Sequence, residues 1–405
     1  MTRTERTYFL VVSLYHASWS FIGPLYALFL LDRGLDLLEI NLVIATFLIT
    51  SFVFEVPTGA VADVFGRKIS FVLSCLVRSV AFLLYWVSDD FGDFLLAEFI
   101  DAIGTTLATG ALDAWAVDGM KEEGKDGATD DFFARAQLLT RTTMIIAGFS
   151  AGYVATATSI EMPWLMAAVC FVFTGALGAW QMKSDRPQRH AVGAALQAAG
   201  RNVRRTVLDG WDEVRRHPIM GRLCLLTAAT AFAMMPALQT WQPHMQSFTG
   251  SGLWVMGWIW ALLNLAAVFA SLLVPRLGHW PRAHVVAVAT LLRAAMLAAA
   301  ALAPSLAPAI LGFLLFEFGY GITEPVMLGW MNQHAGSARR ATVLSVRQMA
   351  FTLGGSLGLV VLGVVARDAG IPTAWLVAAA VLVVTAAGFS VVVDQRRVPE
   401  PSTTA

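Results

Sequence analysis

The chain has 405 residues, of which 57% are hydrophobic and only 14% charged, with a mean hydropathy of +0.65. That balance excludes a water-soluble globular domain. The formal net charge of zero says nothing as a total, because what counts is where the cations lie relative to the apolar runs.

Stretches of about 20 apolar residues, each able to cross a hydrocarbon core of roughly 30 Å as a helix, recur along the whole chain. Twelve spans are predicted, near residues 8–31, 38–60, 69–88, 94–118, 135–158 and 163–182, then 219–246, 253–275, 284–303, 307–331, 341–366 and 372–393. The first run is followed by no small-residue cleavage site and is read as a retained span. Cys75, Cys170 and Cys224 sit inside apolar runs without metal or redox spacing and are read as packing residues.

The predicted organisation is a first bundle over 1–182, a linker over 183–218, a second bundle over 219–394 and a tail over 395–405. The stretch from Lys183 to Arg222 holds nine Lys or Arg residues and a helical pattern around Leu196 to Val214. It reads either as a segment lying on anionic lipid or as a solvated connector. Of the Lys and Arg residues between spans, 22 fall on the side of both termini and two, Arg33 and Arg367, on the other, which places the termini in the cytoplasm.

The halves carry an internal repeat. Leu76-Val77-Arg78 matches Leu291-Leu292-Arg293, and each arginine follows a loop arginine, Arg67 or Arg282, by eleven residues. Leu95-Leu96-Ala97-Glu98-Phe99 matches Leu314-Leu315-Phe316-Glu317-Phe318, and Arg141, Gly148 and Gly152 have the spacing of Arg347, Gly354 and Gly358. The glycine pairs read as seams for close helix packing. Together these features predict an all-α membrane protein of two pseudo-symmetric six-helix bundles.

Pro57 to Lys68, Pro-Thr-Gly-Ala-Val-Ala-Asp-Val-Phe-Gly-Arg-Lys, stands between the second and third apolar runs. Its Gly59, Asp63, Gly66, Arg67 and Lys68 resemble the signature loop of twelve-span major facilitator transporters. The resemblance covers essentially the whole chain and implies the fold of that superfamily, with an exporter-like character. It also implies a cytoplasmic latch, in which Asp63 meets the start of the eleventh helix and Arg67 meets Asp118. The second-half counterpart, Val274 to Arg282, has Gly278 where an aspartate would complete the pattern. The fifth span lacks the glycine-proline element usual in drug-proton antiporters of the superfamily.

A charge at bilayer depth costs several kcal/mol unless paired or hydrated, so ionisable residues within the spans are candidates for function. The acids are Glu55, Glu98, Asp101, Asp113, Glu317 and Glu324, read as proton-coupling candidates; the cations are Arg78, Arg141, Arg293 and Arg347. Glu98 and Asp101 form one helical stripe and Glu317, Tyr320 and Glu324 its mirror, both expected to line a central cavity. Glu55 with Arg347, and Asp113 with Arg141, are expected to pair, either as coupling devices or as static ion bridges. His16, Trp19 and Tyr26 on the first span and Gln239 and Gln242 on the seventh read as cargo contacts; core packing or an interfacial belt is the alternative for the aromatics, and an interior hydrogen bond for His16.

No phosphate-binding loop, zinc spacing or nucleophile elbow is present, so ATP-driven transport and membrane-enzyme chemistry have no support in the sequence. The function expected is proton-coupled efflux of a small amphipathic organic compound by a monomer in the plasma membrane. Its partners are then a small-molecule substrate, protons and the lipid bilayer, with no nucleic acid and no cofactor. Uptake by symport and a transport-dead sensor of the same fold are the alternatives.

Overall fold

A computed structural model describes residues 1–125, 129–184, 218–250, 252–334 and 340–392. The predicted linker beyond position 184 and the predicted tail lie outside the described residues. Within them every regular element is helical. The helices of the first half are α1 (Arg3–Ser20), α2 (Tyr26–Asp32), α3 (Leu37–Phe65), α4 (Arg67–Val87), α5 (Phe91–Ala108), α6 (Ala111–Glu122), α7 (Thr129–Ala157) and α8 (Met162–Gln181). Those of the second are α9 (Pro218–Gln246), α10 (Trp254–Leu273), α11 (Arg282–Ala301), α12 (Leu306–His334), α13 (Arg340–Ala369) and α14 (Ile371–Val391).

Among the described residues, ten helical stretches are long and apolar enough to cross a membrane. The predicted first and fifth spans are not among them. Helix α1 opens on Arg3, Glu5 and Arg6, and α7 carries Arg141 among several threonines, yet both are lodged against other helices of the first half.

Two predicted spans are broken rather than continuous. The first is interrupted at Phe21–Leu25, where Pro24 supplies no backbone N–H to continue the helix. The fourth is interrupted at Gly110, whose left-handed φ of 74° separates α5 from α6. A third departure concerns Pro57 to Lys68, which is not a loop. Helix α3 runs through Pro57 to Phe65, the Thr58 hydroxyl donates to the Phe54 carbonyl at 2.7 Å, and only Gly66 at φ 94° turns the chain into α4.

Polar residues tie the helix ends together. At the end that carries the N-terminus, Thr2 and Glu5 form a capping box, Glu5 accepts from Lys125 at 2.7 Å, and Glu123 accepts from the Thr4 hydroxyl at 2.9 Å. At the opposite end Arg33 bridges Asp89 and, at 3.2 Å, Glu161, joining three connections of the first half. The Ser159 hydroxyl, the local backbone and the Arg33 guanidinium hold Glu161 below the ordinary carboxylate range, so it is charged for this contact at neutral pH.

Helices contact mainly partners in their own half, and the halves meet through α3 with α13, α7 with α10, and α2 with α9. Glycines set how closely some of these helices approach. A Cβ on Gly354 would stand 2.1 Å from the Ala228 carbonyl oxygen, and one on Gly358 2.1 Å from that of Phe232, so α13 lies backbone to backbone on α9.

Gly354→Ala should therefore destabilise the protein by about 1–3 kcal/mol, since backbone must move to admit the methyl group. Gly92→Ala, with nothing within 4 Å of the added Cβ, should not. Thermal unfolding of the detergent-purified variants checks both; equal melting temperatures would contradict the seam.

Candidate functional site

The first half holds a closed charge network. Arg78 on α4 makes a two-point contact with Asp101 on α5, Nε to Oδ1 at 2.7 Å and Nη2 to Oδ2 at 3.1 Å. Its Nη1 donates to the Tyr15 hydroxyl at 3.1 Å, and the guanidinium lies over the rings of Tyr15, Phe82 and Phe171 at 5.3, 5.6 and 4.6 Å. One helical turn away, Glu98 accepts from Tyr85 and, at 3.3 Å, from Tyr26. The expectation that Glu98 and Asp101 face an open cavity is corrected. Each is 5% exposed and bonded inside its own bundle, because α5 turns this stripe onto α4 and α2.

The second half repeats the positions but not the bonds. Arg293 on α11 corresponds to Arg78 and is fully buried at 0% exposure, over the rings of Phe316 and Tyr320 at 4.9 and 5.2 Å. Its Nε, Nη1 and Nη2 have no hydrogen-bond partner among the described residues. By the repeat, the position of Asp101 is taken by Tyr320 and that of Tyr85 by Ala300. Glu317, at the position of Glu98, accordingly has an enclosed Oε1 without a hydrogen-bond partner among the described residues, within electrostatic reach of Arg293 and Arg141. Beside this set lies a narrow cleft of about 30 Å³, lined by Thr227 and Thr230 of α9, Thr290 of α11, Tyr320, Thr323 and Glu324 of α12, and Arg347 of α13, with apolar residues between.

Arg347 bonds Glu324 across this cleft and not Glu55, which is exposed on α3 with no ion pair among the described residues. Helical geometry gives the reason. Arg347 shares a face with Gly354 and Gly358, which lie on α9, whereas Gly355 and Gly363 face Leu48 and Asn41 of α3. The expected Asp113–Arg141 pair is corrected likewise. Asp113 accepts from the Tyr8 hydroxyl at 2.5 Å, and Arg141 donates to the Asn264 side chain at 3.1 Å, because the face of α7 that bears Arg141, Gly148 and Gly152 is turned onto α10.

One contact between the halves is made by Trp260 of α10, which composition and motif do not single out. Its indole donates to Ser20 at 2.9 Å, meets Trp19 edge-on at 5.7 Å, and fills the space left by Gly23 and Gly148, where a Cβ would stand 2.5 and 2.2 Å from the ring. The opposed glycines are the sequence signal that could have found it. His16 is partly buried and accepts from the Trp19 indole at 3.5 Å. Gln242 donates to the Gly23 carbonyl at 3.0 Å, an acceptor freed by the break before α2, while Gln239 is partly buried on α9. Tyr26, read as a cargo contact, instead bonds Tyr85 at 2.8 Å inside the first half.

At the end of α3, Arg67 contacts Asp118 and donates to the Ala114 carbonyl at 2.7 Å. Asp63 is exposed, as is Gly59 one turn before it, and Lys68 is partly buried. Residues 335–339, which precede α13 and would meet Asp63, lie outside the described residues.

Asp101→Asn leaves the buried Arg78 guanidinium without its anion and should destabilise the protein by about 3–5 kcal/mol. Replacing the pair by Arg78→Met with Asp101→Leu should restore most of that loss. Thermostability by fluorescence-detected size exclusion checks both; a double variant as weak as the single would show that the pair is not what the first bundle requires.

The profile of the Major Facilitator Superfamily matches residues 8–359. An uncharacterised MFS-type transporter of Bacillus subtilis strain 168, YxaM, is 29% identical over 150 residues, a match covering 37% of this chain and only 36% of that relative. The fold is similar to the crystal structure of the nucleoside transporter NupG, with TM-score 0.77, 16% identity, and 96% and 99% of the two chains covered. It is also similar to that of a D-xylose-proton symporter, with TM-score 0.72, 13% identity, and 96% and 97% covered. The profile match over most of the chain identifies a multi-pass membrane protein of a transporter family: the chain belongs to the Major Facilitator Superfamily.

Proposed function

We propose that the chain is a twelve-span secondary transporter of the plasma membrane, with both termini cytoplasmic, that exports a small amphipathic organic compound in exchange for protons. The observation that carries alternating access is where the halves touch. Gly23 with Gln242, Asn41 with Gly363, Thr156 with Trp254, and Ser20 with Trp260 all lie from the helix middles toward the end away from the termini. A seam of this kind closes the external mouth, and rocking about it exposes the interior to the other side.

Proton coupling rests on the second-half acids. Glu324 is held by Arg347 at the edge of the cleft, where a proton or a solute can compete for the carboxylate. The cation-biased side, the Arg67–Asp118 contact and the exposed Asp63 support a gating role for the end of α3. Similarity to a proton symporter favours uptake as the second reading, and the direction in which a collapsed gradient shifts accumulation separates the two.

Proteoliposomes with an imposed pH gradient and a fluorescent cationic dye test the coupling. Glu324→Gln should reduce gradient-driven accumulation by about tenfold or more while leaving insertion normal. Accumulation that ignores both the gradient and the substitution would overturn it. Asp63→Asn should slow transport without changing thermostability, and a variant with the wild-type rate would return this stretch to a purely topological role.

A further inference from the structure

The seam between α3 and α13 keeps a regular register. A Cβ on Gly363 would stand 3.2 Å from the Asn41 side chain, and one on Gly355 3.3 Å from Leu48, so the helices run antiparallel with positions two turns apart meeting in succession. One further step of seven residues on each helix, toward the end that carries the termini, gives Glu55 and Gln348. At about 100° per residue Glu55 falls within about 40° of Asn41 on α3, and Gln348 falls between Gly355 and Gly363 on α13. Neighbouring residues face elsewhere: Phe54 meets Phe99 of α5 with ring centroids 5.7 Å apart, and Val53 is exposed on another side of α3.

Burial stops at this step. Asn41 and Thr352 are 0% and 4% exposed, Gly355 and Gly363 are buried, and Ser51, one turn before Glu55, has an enclosed hydroxyl. Glu55 and Gln348 are both exposed, and neither has a hydrogen bond or ion pair among the described residues. The two helices are packed as far as Ser51 and Thr352 and part from Glu55 and Gln348 onward.

The groups at the parting are complementary. A carboxylate on a seam built from Leu48, Gly355 and Gly363 needs a hydrogen-bonding partner once the helices come together. The Gln348 amide supplies an N–H for a carboxylate and a carbonyl for a carboxylic acid, so it can pair with Glu55 in either protonation state. Arg347, the adjacent cation, is engaged by Glu324 on the other side of α13. Carried one step further, the same register sets Asp63 level with the start of α13.

We propose that Glu55 and Gln348 form a latch of the cytoplasmic mouth: as the halves rock, the seam between α3 and α13 closes by one more two-turn step and the Glu55 carboxylate accepts a hydrogen bond from the Gln348 amide. The latch rests on the alternating-access reading and gives Glu55 a contact between the halves in place of a transported proton. The structure is then the state in which this latch is open and the opposite end of the seam is shut.

Cysteine cross-linking in membranes tests the geometry with no assumption about cargo. In a chain carrying Cys75→Ala, Cys170→Ala and Cys224→Ala, the pair Glu55→Cys with Gln348→Cys is oxidised with copper phenanthroline and the disulfide is read by mass spectrometry. It should form about tenfold or more faster than the disulfide of Val53→Cys with Gln348→Cys, whose first member lies on another face of α3. A rate no greater than that of the comparison pair would overturn the proposal.

Dye transport in proteoliposomes reads what the contact does. Oxidation of the Glu55→Cys, Gln348→Cys pair should stop transport and reduction should restore it; transport that continues through the disulfide would overturn the latch. Glu55→Gln, which keeps a hydrogen-bonding group opposite Gln348, should transport at close to the wild-type rate, and Glu55→Leu about tenfold more slowly. A Glu55→Gln variant as slow as Glu55→Leu would also overturn it, because a titratable group would then be required. Absence of dye transport in the wild type overturns the transport reading alone, and the cross-link still decides the latch.

Discussion

The constraint on which the rest depends is that a guanidinium inside an apolar helix bundle has to be neutralised and hydrogen-bonded. Arg78 meets it through Asp101, Tyr15 and three aromatic faces, and this fixes the mutual rotation of α1, α4, α5 and α8. Glu98, one turn along, is satisfied by two phenols from α2 and α4, which fastens the broken first span to the same core. Around Arg78 and Glu98 the first half is thus held by polar bonds made within it.

The seam between the halves is built on a different principle, the exchange of volume between large and small residues. Trp260 occupies the space left by Gly23 and Gly148, and Gly152 meets Gly257 with backbones at van der Waals distance. Such a contact has few directional bonds to break, and Trp260 to Ser20, Arg141 to Asn264 and Gln242 to Gly23 are polar points distributed along it. A seam of packed surface with sparse hydrogen bonds can roll, where a seam of ion pairs would have to dissociate.

Much of this was legible in the sequence and the rest was hidden for a definite reason. Apolar run length fixes where helices lie, and the repeat located Arg78, Arg293, Glu98 and Glu317 at matched depths. The Arg67–Asp118 contact was implied by the resemblance of the Gly59 to Lys68 stretch to the superfamily's signature. Partners inside the bundle were not, because sequence gives depth along a helix but rotation about its axis depends on the neighbour. Arg347 was assigned to Glu55 by depth and found Glu324 by rotation, although its spacing to Gly354 and Gly358 already marked the face turned to α9. Breaks at Pro24 and Gly110 were masked by uninterrupted hydropathy on either side.

The two halves, matched in sequence, therefore divide the electrostatic work unequally. Substituting Tyr320 for the aspartate of the repeat and Ala300 for its tyrosine removes from the second half the groups that close the network in the first. Arg293 and the Oε1 of Glu317 are left without hydrogen bonds among the described residues, and the nearby cleft carries threonine hydroxyls beside its aromatic rings. Stability lost at such a station is available to whatever ligand or proton completes it, since an interaction that the fold does not satisfy is one that binding can. The matched positions thus form a closed network around Arg78 and Glu98 in the first half and an open one around Arg293 and Glu317 in the second, and the open one is where a proton would change most.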